Sequence, residues 1–146
     1  MALFRNSLEI DAAGDFVAIA WFTAANNVPI VRVVLSTDGG MNFDDPVVIS
    51  SGPTSGHVGV EIINDSAVAV SWVEPAAQDG NDINVRLVGP SGLVGPVINA
   101  GYSALVRIHP QLARVDRGLV LAWTESIRDT TRVASALVPI ESARNP

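Results

Sequence analysis

Arginine supplies every basic side chain in these 146 residues: there are nine, and no lysine. Its planar guanidinium grips carboxylates bidentately, so arginines at matching positions could hold an acidic ligand. Arg32, Arg86 and Arg132 stand at comparable places in three similar stretches, a coincidence that the internal repeat described below explains without a ligand. Tyr102 is the single tyrosine, read as a residue of a Gly-Tyr-Ser loop, and Glu74 and Glu125 each follow a tryptophan by two residues. His57 and His109 stand far apart in sequence with no HExxH pattern, so no metal site is expected from them. The run Asp79-Gly80-Asn81-Asp82 slightly resembles a calcium loop but lacks the later glutamate, which favours a hairpin turn. Neither a phosphate-binding glycine loop nor a Gly-x-Ser-x-Gly elbow occurs, and no cofactor is expected.

The elements that must position these residues repeat. Val17-Ala-Ile-Ala-Trp21, Val68-Ala-Val-Ser-Trp72 and Leu119-Val-Leu-Ala-Trp123 are one phrase, recurring at intervals of 51 residues. A fixed period of this kind marks a repeat architecture. The chain is therefore read as one all-β domain, 1–146, of three units at about 7–50, 58–99 and 110–140. Strands are expected at 7–10, 16–22, 30–35 and 46–49, then at 59–63, 67–73, 83–88 and 94–98, then at 111–115, 119–124 and 131–138. Residues 11–15 should form the first turn. The third unit lacks a fourth strand; a helix over 131–143 is the weaker alternative, given Val133, the threonines and Pro139.

Side chains alternate between the two faces of a strand. One face of each tryptophan strand is bulky (Val17, Ile19, Trp21; Val68, Val70, Trp72; Leu119, Leu121, Trp123). The other is mostly small (Ala18, Ala20; Ala69, Ser71; Val120, Ala122). A strand apolar on both faces lies between two layers. Stacking bulky on small predicts four-stranded blades of a β-propeller, the third blade incomplete. Three blades leave one bulky and one small face bare at opposite ends. Such surfaces meet head to tail, and a homodimer closing a six-bladed ring is expected, with Ala2 to Arg5 of a partner as the missing strand. The alternative is a piece of a longer propeller.

Ser36-Thr-Asp38-Gly39-Gly40-Met-Asn-Phe43 resembles the Asp box, Ser-x-Asp-x-Gly-x-x-aromatic, of the bacterial neuraminidase repeats found in sialidases and related propellers. The Asp38 carboxylate can accept backbone N–H bonds within the turn, the glycines tolerate positive φ, and Phe43 can plug the turn onto its blade. The resemblance implies a structural role for Ser36, Asp38, Gly40 and Phe43 on the hairpin between third and fourth strands. Repeat two carries Gly89-Pro-Ser-Gly92 at that place, without the aspartate or the aromatic, and repeat three ends before it. Phe4-Arg5-Asn6 matches only the first half of the family's Phe-Arg-Ile-Pro motif. A sialidase-type site would further imply an arginine triad on the substrate carboxylate, an acid/base aspartate, and a tyrosine nucleophile paired with a glutamate. Arg32, Arg86, Arg132, Tyr102 and Glu125 are the candidates for those roles.

The net charge of −6 argues against phosphate-backbone binding, so no nucleic-acid partner is expected. No apolar run approaches the ~20 residues of a membrane span. The first residues lack the apolar core of a signal peptide, which leaves a cytoplasmic protein or a secreted or periplasmic one whose leader is gone. The leading expectation is a non-catalytic propeller module for assembly or for glycan or protein recognition. The alternatives are a sialidase-type exo-glycosidase completed by oligomerisation, and an inactive fragment.

Overall fold

The computed structural model describes residues 8–64, 67–105 and 108–140, apart from the side chains of Ser51 and Ile127. Among the described residues there are eleven strands and one short 3-10 turn at Ala25–Asn27. Sheet 1 comprises β1 (Leu8–Ala13), β2 (Phe16–Thr23), β3 (Ile30–Ser36) and β4 (Val47–Ser51). Sheet 2 comprises β5 (Gly56–Asn64), β6 (Ala67–Pro75), β7 (Asn81–Val88) and β8 (Ile98–Ser103). Sheet 3 comprises β9 (Gln111–Val115), β10 (Gly118–Ile127) and β11 (Thr130–Pro139). Each sheet is an antiparallel meander in chain order. The helix alternative at 131–143 is replaced by β11 over its described part.

The tryptophan strands β2, β6 and β10 sit inside their sheets, and their two faces pack as the small-and-bulky pattern requires. Ala18 and Ala20 of sheet 1, flanked by Phe16 and Phe22, share one buried cluster with Val68, Val70 and Trp72 of sheet 2. The small face of sheet 2, with Ala69, Val73, Ile83 and Val85, shares the next cluster with Leu119, Leu121 and Trp123 of sheet 3. Alanine removes side-chain bulk where the neighbouring sheet's indole and branched residues enter, so the layers interlock. Gly101 has the same function: a Cβ there would lie 2.5 Å from Cη2 of Trp123.

Among the described residues, nothing covers the two outermost faces. The bulky face of sheet 1 shows Leu8 and Ile10, each 60% exposed, beside half-buried Ile19 and Trp21. The small face of sheet 3 shows Val133 at 74% and Leu137 at 48%.

Several boundaries differ from expectation, for local reasons. β1 runs on to Ala13, because Asp11, Ala12 and Ala13 pair with Ala18, Val17 and Phe16; the turn shrinks to Gly14-Asp15, with Gly14 at φ +60°. The fourth strand of sheet 2 is Ile98–Ser103 rather than 94–98. Val94 makes a single bridge to Val88, Pro96 has no N–H to continue a ladder, and pairing resumes beyond it. Tyr102 consequently lies on a strand, paired with Asp82, and not in a loop. The supposed partner strand Ala2 to Arg5, and Phe4-Arg5-Asn6, lie outside the described residues.

Candidate functional site

The octet Ser36 to Phe43 closes on itself. The Ser36 hydroxyl donates to Asp38 Oδ1 at 2.8 Å and accepts from the N–H of Gly40 at 2.9 Å. Asp38 Oδ1 also accepts the N–H of Asn42 at 2.8 Å, and Oδ2 accepts the Asn42 side-chain amide at 2.9 Å. Gly39 and Gly40 take φ of +72° and +88°, where a Cβ would be strained. The Gly39 N–H then donates to the carbonyl of Asp15 at 2.8 Å, tying the box to the β1–β2 turn. Phe43 lies over Gly40 and remains 41% exposed, so it caps the turn without entering the core. The octet sits on the β3–β4 hairpin.

The Asp38 carboxylate accepts three hydrogen bonds within the turn, which favours its charged form. Its pKa is lowered to about 2, first by the Asn42 side chain, then by the Asn42 N–H and the Ser36 hydroxyl. A folded value below the unfolded one means that the turn gains stability above about pH 4 and loses it as pH falls toward 2. Carboxyl-carbon NMR should therefore give Asp38 a midpoint near 2, moving upward in Asn42→Ala. A midpoint at the ordinary 3.8 would contradict this hydrogen-bond set.

The arginines do not converge. Strand register puts Arg32 opposite Trp21, Arg86 opposite Val70 and Arg132 opposite Glu125. Relative to the repeat tryptophan they stand level with it, two residues before it, and two residues after it. At about 3.3 Å per residue the levels are spread over about 13 Å. The comparable positions expected from sequence are thus corrected: the residue matching Arg32 in sheet 2 is Asn84, and in sheet 3 it is Ala134. Each guanidinium also has its own local task. Arg32 Nη1 donates to Thr23 Oγ1 at 3.3 Å. Arg86 Nη1 reaches across to the carbonyl of Ile49 in sheet 1 at 2.7 Å. Arg132 pairs with Glu125 at 3.0 Å.

Tyr102 and Glu125 belong to different environments. Gly101 and Ser103 turn toward sheet 3, where the Ser103 hydroxyl donates to the carbonyl of Thr124 at 3.1 Å. Alternation directs Tyr102 to the other face of its sheet, and its hydroxyl donates to the carbonyl of Asp79 in the β6–β7 hairpin. Asp79 and Gly80 lie in the turn of that hairpin, whereas Asn81 and Asp82, expected in the turn, already pair with Pro75 and Glu74 in the ladder. Glu125, held by Arg132, lies on the side that meets sheet 2. A nucleophilic tyrosine assisted by this glutamate is not assembled here.

The tryptophans are equivalent in register but not in surroundings. Trp72 is 1% exposed, and its Nε1–H donates to Glu74 Oε1 at 2.7 Å. Trp123 is buried too, but its Nε1 has no partner among the described residues, because the equivalent Glu125 is drawn to Arg132. Trp21 lies on the uncovered face.

The structure brings together two sets that sequence reading missed. The first is a pair of clasps between the first strands of adjacent sheets. Asp11 Oδ2 accepts the N–H of Ile62 at 2.8 Å, and Glu61 Oε1 accepts the N–H of Arg114 at 3.3 Å. Asp11 pairs with Ala18 and Glu61 with Ala69, both three residues before the tryptophan, so one contact is made twice. The third equivalent is Ala113, opposite Val120, which carries no carboxylate. Arg114 strengthens the second clasp by donating to the carbonyl of Ile63 at 2.7 Å. Beside it, Asn64, Arg114, Asp116, Arg117, Leu137 and Ile140 border a groove of about 680 Å³. The second set is His57 and His109, whose Nδ1 atoms are 3.3 Å apart. They are not isolated, as their sequence separation suggested. That separation is 52 residues, one beyond the repeat interval, and was the available signal.

No protein-family model and no curated protein matches this chain. Among the described residues, no group of three or more histidine, cysteine, aspartate or glutamate side chains could hold a metal ion, and no helix is long and apolar enough to cross a membrane.

Proposed function

We propose that the chain is a non-catalytic, sialidase-like β-propeller module of the Asp-box type, whose two copies close a six-bladed ring for glycan or protein recognition. One observation carries this reading: the two uncovered faces are the two halves of an interface the chain already makes twice. Sheet 1 offers the bulky Trp21 face, equivalent to the Trp72 and Trp123 faces that are buried against a neighbour. Sheet 3 offers the small face around Val120 and Ala122, equivalent to the faces that receive them. A second copy therefore supplies each face with its complement, head to tail, and a two-copy ring closes if the rotation between sheets permits. The β10-distal edge of β11 has no strand beside it among the described residues, and the partner's Ala2 to Arg5 is the segment proposed to pair there.

The non-catalytic part of the proposal is supported by the separated arginine levels, each with a structural hydrogen bond, and by Tyr102 facing away from Glu125. Light scattering after size-exclusion chromatography is expected to give twice the chain mass, and Ile10→Asp, on the uncovered face, is expected to give single chains that remain folded. A wild-type monomer at high concentration would refute the ring. A fluorogenic sialoside should not be turned over; turnover lost in Arg32→Ala would refute the non-catalytic reading.

A further inference from the structure

Arg114 and Arg117 border the groove of about 680 Å³ at the β9–β10 turn. Pockets for small molecules span about 300–1,000 Å³. The repeat does not explain these two residues. Arg114 stands opposite Leu119, and its equivalents in sheets 1 and 2 are Ala12, opposite Val17, and Ile62, opposite Val68. Arg117 takes the second place of its turn, where the β1–β2 turn has Asp15. Sheet 3 thus brings two guanidiniums to a place where sheet 1 has an alanine and a carboxylate. Neither pairs with an acid: Arg132 with Glu125 is the single ion pair among the described residues, although the chain holds 15 acidic residues against nine basic.

The chain beneath both is held in place. Arg114 donates its N–H to Glu61 and Nη1 to the carbonyl of Ile63, while Nε and Nη2 have no acceptor among the described residues. The Arg117 carbonyl accepts the N–H of Ile140 at 3.3 Å. At the next residue, Gly118, a Cβ would collide with the carbonyl of Val138, so the turn lies directly on β11. The groove is therefore preformed on its cationic side, with donors left over.

We infer that this groove is a seat for a monocarboxylate with an apolar body. A guanidinium fork matches a carboxylate, and a second guanidinium stands beside the first. Asp116 borders the groove as well, so its two arginines and one aspartate leave one positive charge. That balance suits a monoanion better than a phosphate dianion. The opposite wall is apolar: Leu137 is 48% and Val115 39% exposed, beside Ile63, Pro139 and Ile140. Hydrocarbon laid on these side chains leaves water while its carboxylate stays at the arginines. A small organic acid and the C-terminus of a peptide share this chemistry. None of the five residues weighed for a sialidase-type site borders the groove. The seat does not depend on ring closure, because every residue lining it belongs to one chain.

The test is titration of the full chain with sodium hexanoate at constant ionic strength, followed by two-dimensional NMR of backbone and arginine N–H groups. Saturable shifts are expected at Asp116, Arg117 and Arg114 Nε–H. Hexanoate should bind more tightly than butyrate, by about two- to fourfold for each methylene that reaches the apolar wall. Arg117→Gln should weaken hexanoate about tenfold or more, the worth of a charge-assisted hydrogen bond. Its side chain is exposed, so the variant should melt with wild type, which separates lost binding from lost folding. A peptide ending in leucine, as free acid and as amide, distinguishes the two sources. Tighter binding of the free-acid peptide than of hexanoate assigns a peptide C-terminus; weaker binding assigns a small acid. No saturable shift with hexanoate or peptide, unchanged affinity in Arg117→Gln, or inorganic phosphate binding as tightly as hexanoate would overturn the inference.

Discussion

Trp72→Ala should cost about 3–5 kcal/mol of folding free energy, the range for deleting a fully buried large aromatic side chain. The indole lies between sheets 1 and 2 at 1% exposure, in one cluster with Ala18, Ala20 and Phe22. Alanines cannot move to fill the space it leaves, so the cavity persists. Its Nε1–H bond to Glu74 is lost as well, leaving a carboxylate that water can solvate at the strand end. Trp21→Ala removes the same side chain from the same register position but from an uncovered face. In dilute single chains its cost should be well under half that of Trp72→Ala. Urea unfolding of both variants, followed by far-ultraviolet circular dichroism, makes the comparison. Equal losses would mean that the order of stacking is wrong. The contrast reverses under conditions of association: Trp21→Ala should dissociate the proposed ring, because that indole is then an interface residue.

Asp11→Ala should cost about 1–3 kcal/mol, the penalty for orphaning a buried donor that had a charged acceptor. Ile62, whose N–H the carboxylate accepts, is 3% exposed, so water replaces the lost oxygen poorly. Asp11→Asn keeps an acceptor and should recover most of the loss. Glu61→Ala should lose less, since its bond to the Arg114 N–H is longer and more exposed, and the Arg114 guanidinium still holds the carbonyl of Ile63. Chemical denaturation midpoints of the three variants check the ranking. Asp11→Ala equal to wild type would show that the first strands of adjacent sheets are held by packing alone. Ala113 occupies the same register in sheet 3, so that uncovered face lacks the carboxylate found at both internal joints. The closing contact of the proposed ring would accordingly lean more on apolar burial than the joints within one chain.

The repeat, the strand content and the bulky-against-small stacking were legible in the residues because they depend on short-range order. Alternation places every second side chain on one face, and a tryptophan recurring in register declares which face is which. The turn from Ser36 to Phe43 was legible for a similar reason: Ser36, Asp38, Gly40 and Asn42 bond within one turn, so their geometry is set by neighbours in the chain. Boundaries were less legible. Only pairing decides that β1 continues to Ala13, or that Pro96 defers the last strand of sheet 2 to Ile98.

The candidate site was mostly illegible. Arg32, Arg86 and Arg132 look equivalent by position in the sequence, yet they follow their tryptophans by 11, 14 and 9 residues (32 − 21, 86 − 72, 132 − 123), whereas the residue paired with the tryptophan follows it by 11, 12 and 11 (Arg32, Asn84, Ala134). Tyr102 and Glu125 could be placed on opposite sides only once β8 was known to be a strand. Sequence by itself determined a threefold β repeat, its two unlike faces and one self-contained turn, since each follows from local periodicity and turn chemistry. Tertiary structure alone decided which face is covered, which carboxylates clasp a neighbouring sheet, and that two histidines 52 residues apart touch. Those contacts arise between sheets, where side chains remote in the chain meet only after the layers have stacked.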